Sequence, residues 1–187
     1  MNEAIKQCFF LTWAKDTRKT GVAFAPDDTL LAYELADILK DAENLPFELE
    51  LREGELQDYL GNSLAWPLMS PKMKELIETH LTGFERISWL TARVKASGKF
   101  HAYYVPKFND ELDVLNHERT KFVKGTDHIM VPCFSSEKIK KFRMFPKPGL
   151  FWRITRSIYV DDFLRRQIGK AGVSGVAFEK AATSIKD

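Results

Sequence analysis

At 187 residues the chain has the length of one domain, so residues 1–187 are expected to fold as a single unit. Its composition, 44% hydrophobic and 12% aromatic, carries enough apolar surface to offset chain entropy and excludes disorder of the whole. Lys and Arg number 28 against 26 Asp and Glu, and the net charge of +2 excludes the strong basic excess of a dedicated nucleic-acid binder.

Cys8 to Ala14 is a short apolar run that reads as a strand. Pro26-Asp27-Asp28 offers a turn and an N-cap for a helix from Thr29 to Asp41, in which Leu31, Leu35, Ile38, Leu39 and Ala42 recur at helical spacing. Phe47, Leu49 and Leu51 alternate with Glu48, Glu50 and Arg52, the period of a strand with one wet face, and Gly54 ends it. Ser70-Pro71 opens a second helix, because the serine hydroxyl can cap free amides and proline gives up an amide that has no helical partner. That helix is expected to reach Leu81, with Met73, Leu76, Ile77 and His80 on its apolar stripe and Gly83 beyond its end. Ile87 to Lys95 and Lys99 to Val105 are two strands joined by Ala96-Ser97-Gly98 as a hairpin. His128 to Phe134, Ile139 to Phe145 and Leu150 to Thr155 read as three further short strands. Asp161-Asp162 opens a final helix, and Val173 to Phe178 reads as a terminal strand. The sum is an α+β domain, a mostly antiparallel sheet with about three helices packed on it.

Cys8 and Cys133 each sit among apolar neighbours and form no metal or redox motif, so both are expected to be free, buried thiols in a reducing, cytoplasmic setting. The start Met1-Asn2-Glu3 lacks a signal-peptide pattern, and no apolar run reaches the length of a membrane helix.

The near-neutral total conceals segregation. Residues 27–58 hold eleven acidic against two basic residues, a balance of −9; residues 119–170 hold thirteen basic against four acidic, a balance of +9. Clustered charge selects complementary partners, and Glu48, Glu50, Glu53, Glu55 and Asp58 are the candidate partner-binding group. Lys138, Lys140, Lys141 and Arg143, interleaved with Ile139, Phe142, Met144 and Phe145, form an alternative basic surface that could meet phosphates. Alternation of this kind is also what a strand with a lysine-rich outer face shows.

Catalytic patterns are wanting. Gly172-Val173-Ser174-Gly175 has the wrong spacing for a nucleophile elbow, and there is no P-loop, dinucleotide fingerprint or EF-hand loop. His80, His101, His117 and His128 lack metal-ligand spacing, so no metal and no cofactor are expected. His117-Glu118 is an adjacent acid/base pair of low information.

From Leu64 onward the segments resemble a family of bacterial immunity proteins of polymorphic toxin systems. The resemblance lies in Ser70-Pro71-Lys72-Met73-Lys74-Glu75-Leu76, Ile87-Ser88-Trp89-Leu90, Tyr103-Tyr104-Val105 and Glu111-Leu112-Asp113-Val114-Leu115. It continues through Phe142 to Ile154, Tyr159-Val160-Asp161-Asp162-Phe163-Leu164 and Ala171-Gly172-Val173-Ser174-Gly175-Val176-Ala177-Phe178. Ser174 stands where the family pattern has threonine and Asp161 where serine is common. Residues 64–187 carry the resemblance, whereas the acidic stretch 1–63 matches loosely. It implies a non-enzymatic protein that neutralises a cognate toxin, encoded nearby, by covering its surface. The alternative is a nucleic-acid-associated protein using residues 138–166.

Overall fold

The computed structural model describes residues 6–14, 20–26 and 48–184. The expected helix from Thr29 to Asp41 and most of the acidic stretch lie outside these residues.

Six strands close into a barrel in the order β2-β3-β6-β7-β5-β4. They are β2 (Val22–Phe24), β3 (Glu48–Glu53), β4 (Tyr59–Asn62), β5 (Leu68–Met69), β6 (Ile87–Ala96) and β7 (Lys99–Phe108). The β6–β7 hairpin is its longest ladder, registered from Ile87↔Phe108 to Ala96↔Lys99. Ser97 and Gly98, at φ +49° and +77°, make the two-residue turn whose twist suits a right-twisted hairpin. Along β6, Leu90, Ala92, Val94 and Ala96 are buried while Thr91, Arg93 and Lys95 are exposed, so the period of two places one row inside the barrel. There Leu90, Ala92 and Val94 meet Leu49, Leu60, Trp66, Leu68 and Val105. Closure rests on two parallel pairings between distant segments, β2 with β4 and β3 with β6.

Beside the barrel lies a four-stranded antiparallel sheet, β11-β12-β1-β13, built from β1 (Cys8–Trp13), β11 (Met144–Pro146), β12 (Ile158–Asp161) and β13 (Val176–Lys180). Its central strand β1 buries both faces. Phe9, Leu11 and Trp13 pack with Met73, Ile77, Ile158 and Leu164 on one side, and Cys8 and Phe10 pack with Phe134, Phe145 and Tyr159 on the other. A strand covered on both faces reads as a continuous apolar run, which is what Cys8-Phe9-Phe10-Leu11 shows. Two α-helices cover the first side, α1 (Pro71–His80) and α2 (Asp162–Lys170). Ser70 caps α1 by accepting from the Met73 amide at 3.2 Å, and Asp161 caps α2 by accepting from the Leu164 amide at 2.8 Å. Two small ladders complete the described residues: β8 (Lys121–Phe122) with β9 (Ile129–Val131), and β10 (Cys133–Ser135) with β14 (Ala182–Ser184).

The expected architecture, one sheet carrying about three helices, is therefore corrected. The described residues are mostly β, 44% strand and 15% helical, with a closed barrel and two α-helices. Two expected strands are also corrected. Lys138–Lys141 forms a 3-10 turn, because the Ser135 hydroxyl accepts from the Lys138 amide at 3.3 Å and draws the chain into a turn before β11. Residues 150–155 form a looped excursion, because Gly149 and Phe151 adopt φ of +109° and +68°, which no strand accommodates.

The barrel and the sheet meet where side chains would not fit. Gly61 of β4 lies under the Trp13 ring, and a Cβ on Gly175, at φ +76°, would run into the Tyr59 carbonyl oxygen. Gly175→Ala and Gly61→Ala are each expected to cost about 1–3 kcal/mol from overpacking, with backbone strain added at Gly175. Urea unfolding with an unchanged slope measures this; wild-type stability in both variants would contradict the packing.

Candidate functional site

The five nominated carboxylates do not share one environment. Glu48 and Glu50 lie on the outer face of β3, in register with Arg93 and Lys95 of β6. Glu48 pairs with Arg93, and Arg52 reaches Glu50 at 3.9 Å. Glu48 is thus met by a cation of the neighbouring strand and Glu50 by one of its own strand before any partner arrives. Glu53 ends β3 opposite Val22, and Glu55 follows in an isolated bridge with Thr20; both are exposed.

Asp58 is turned into the protein, its side chain only 17% exposed. Oδ1 accepts from the Ser70 hydroxyl at 2.7 Å, and Oδ2 accepts from the Ser174 amide at 2.9 Å and the Ser174 hydroxyl at 3.1 Å. Lys72 Nζ stands 3.6 Å away. The main chain repeats the contact: the Ser70 amide donates to the Asp58 carbonyl at 2.7 Å and the Tyr59 amide to the Ser174 carbonyl at 3.0 Å. Asp58 thus joins the barrel, the capped end of α1 and the turn before β13.

Burial alone would raise the Asp58 carboxyl, but the hydrogen bonds from Ser174 and Ser70 and the charge of Lys72 outweigh it and hold the pKa below the usual value. A folded carboxyl more acidic than its unfolded counterpart, at about 3.9, stabilises fully above about pH 4, and that stabilisation fades as pH falls through the folded value. Asp58→Asn should cost about 1–3 kcal/mol near neutral pH and make stability less sensitive to acid below pH 4. Urea unfolding at pH 7 and pH 3 reads both effects; equal acid sensitivity in the two proteins would refute the assignment.

The alternative basic surface is largely engaged within the molecule. Lys138 Nζ lies 3.2 Å from Asp113 and donates to the Leu115 carbonyl at 3.0 Å; Lys140 lies 2.6 Å from Glu137. Lys141 sits over the Phe84 and Phe142 rings. Arg143 bonds Asp161 at 2.6 Å and stacks on Phe163. Asp161 also holds Lys6 Nζ at 3.2 Å, and Lys6 donates to the carbonyls of Lys140 and Phe142 at 2.8 Å each. Burial lowers the Lys6 pKa against the opposing pull of Asp161. Glu85, fully buried and not singled out from sequence, accepts from the Arg143 amide at 2.6 Å and from Thr82. These contacts knit β1, α2 and the approach to β11, and they use the charge for structure.

Cys8 and Cys133 are free and buried as expected. Burial, with Cys133 nearby, pushes the Cys8 thiol up to about 12, and burial also raises Cys133, so neither thiol is set up as a nucleophile. His80 packs edge-on against Phe163, and His117 stacks on Phe122 with Asp113 at 4.0 Å. Among the described residues no group of three or more His, Cys, Asp or Glu side chains could hold a metal ion, and no helix is long and apolar enough to cross a membrane.

A cavity of about 410 Å³ lies between β9 and the excursion 147–157. Leu150 and Phe151 line it and are 82% and 45% exposed. Sequence reasoning placed both in a strand and did not nominate them. The available signal was Pro146-Lys147-Pro148-Gly149 followed by three successive large apolar residues with no alternation.

No curated protein matches the chain. The family model described as "Immunity protein family (Imm11)" matches residues 39–183, a span that starts within the acidic stretch and ends in β14. It includes the Asp58 clamp, the barrel strands from β3 onward and the excursion 147–157. With more than half of its length matched, the chain belongs to the Immunity protein family (Imm11).

Proposed function

We propose that the protein binds a cognate bacterial toxin in the cytoplasm and neutralises it by covering its surface, without catalysis. Membership of the immunity family over residues 39–183 is the observation that carries this reading. The partner is then a protein toxin encoded close to this chain's gene. The structure supports a binding role in a second way, because β structure closed into a barrel and clamped to a sheet offers a rigid surface, and rigidity lowers the entropic cost of association. The nucleic-acid alternative draws no support from Lys138, Lys140 and Arg143, whose charges meet Asp113, Glu137 and Asp161.

Co-expression with the toxin domain encoded beside it, in a bacterial host, tests the proposal. Growth should be restored and the two chains should co-purify as a complex stable to gel filtration. Unrelieved growth arrest with both proteins present would end this reading.

A further inference from the structure

Seven large apolar side chains stand exposed among the described residues. Two of them, Phe84 and Phe100, lie beneath the cations Lys141 and Arg93. The other five fall in two neighbouring segments, Val123, Met130 and Val131 in one and Leu150 and Phe151 in the other. The segments touch: Lys147 Nζ donates to the Ile129 carbonyl at 3.2 Å, and residues from both line the 410 Å³ cavity. Met130 and Val131 follow Ile129 on β9 and are 62% and 49% exposed. Apolar exposure concentrated in one place marks an interaction surface, whereas scattered single residues do not.

The excursion is also built to hold its apolar tip out. The Lys147 amide donates to the Ser157 carbonyl at 2.9 Å and closes its neck, while Ile154 is buried in the barrel core. The Phe108 amide donates to the Arg153 carbonyl at 2.9 Å, and the Trp152 amide closes a turn on the Gly149 carbonyl at 3.1 Å. Between these ties Phe151 is kept at φ +68°, a left-handed conformation that costs a bulky residue on the order of 1–2 kcal/mol. Packing alone does not explain a strained aromatic left nearly half exposed. The charge around the cavity leans basic: Lys147 and Arg156 line it against Asp127, and Lys124 lies in the adjoining turn.

We propose that this cavity, with Leu150 and Phe151 at its mouth, is the surface on which the toxin docks, and that the toxin segment it receives is acidic and carries a large apolar side chain. The inference rests on the function proposed above and names the surface and chemistry of that contact. Apolar anchors set the lifetime of such a complex, and the cations around them speed encounter with an acidic partner.

The test uses the full chain and the purified toxin domain encoded beside it. Leu150→Glu with Phe151→Glu should weaken binding by about 100-fold or more and abolish protection in cells, with Tm little changed because both side chains are exposed. Lys124→Glu should slow association and reduce its dependence on salt. In the wild-type protein, amide exchange in residues 128–131 and 147–157 should slow when toxin is added. Wild-type binding that the Leu150/Phe151 variant retains within about 3-fold, with no such protection, overturns this surface and leaves the toxin reading intact. Loss of binding only on Glu48→Lys with Glu50→Lys moves the contact to β3 and overturns it too. A wild-type dimer that the Leu150/Phe151 variant dissociates shows instead that a second copy covers the patch. Wild-type protein that binds no toxin removes both proposals.

Discussion

The carboxylate of Asp58 accepts hydrogen bonds from two serines that lie 104 positions apart in the chain, Ser70 at the start of α1 and Ser174 in the turn before β13. Each bond to a charged acceptor is worth about 1.5–3 kcal/mol net, and each is made between segments that have no local reason to meet. Around the carboxylate the backbones close to within hydrogen-bond distance, and Gly61 and Gly175 supply the absence of side chains that this approach demands. Barrel residues Tyr59, Met69 and Phe108 also pack into the apolar cluster of the sheet, and the hydrogen bonds of this junction fix the register of that contact. The excursion 147–157 depends on it in turn, since it leaves from the sheet through β11, drops Ile154 into the barrel and returns through β12.

Electrostatics in this protein work mainly inward. Arg143, Lys6, Asp161 and Glu85 form a part-buried network, in which a lone charge would be costly and paired charges are tolerated. On the barrel, parallel pairing sets Glu48 and Glu50 of β3 against Arg93 and Lys95 of β6. Among the described residues, much of the charge that is segregated in sequence is thereby locally compensated in space. Among the described residues a smaller feature faces outward, a basic rim around exposed apolar side chains, and it is the combination that carries information about a partner.

Much of the local structure is legible from residue order alone. The α1 cap at Ser70-Pro71, the β6–β7 turn at Ser97-Gly98 and the α2 cap at Asp161 are decided by neighbours within four residues, so local rules find them. Local rules misread Lys138–Lys141, where alternation suggested a strand but a serine hydroxyl three residues ahead won the competition for the backbone. They misread residues 150–155 for a related reason, because a positive φ at Phe151 is imposed by ties at Phe108 and Ser157 that lie outside any short window. The nominated site residues fared according to the same division. The sequence showed which side chains are charged, and only the fold showed that Asp58 faces inward and that Glu48 already has a cation.

Composition and order by themselves determined that the chain has an apolar core to bury, where its two described helices begin, that its thiols are buried, and the pattern that places it in the Immunity protein family (Imm11). Tertiary structure decided the closed barrel, because closure uses the parallel pairings β2–β4 and β3–β6, contacts between segments whose strand pattern would suit many other partners. It also decided the exposure of Leu150 and Phe151. Their hydrophobicity predicts burial, and only the hydrogen bonds that close residues 147–157 into a loop hold them in water.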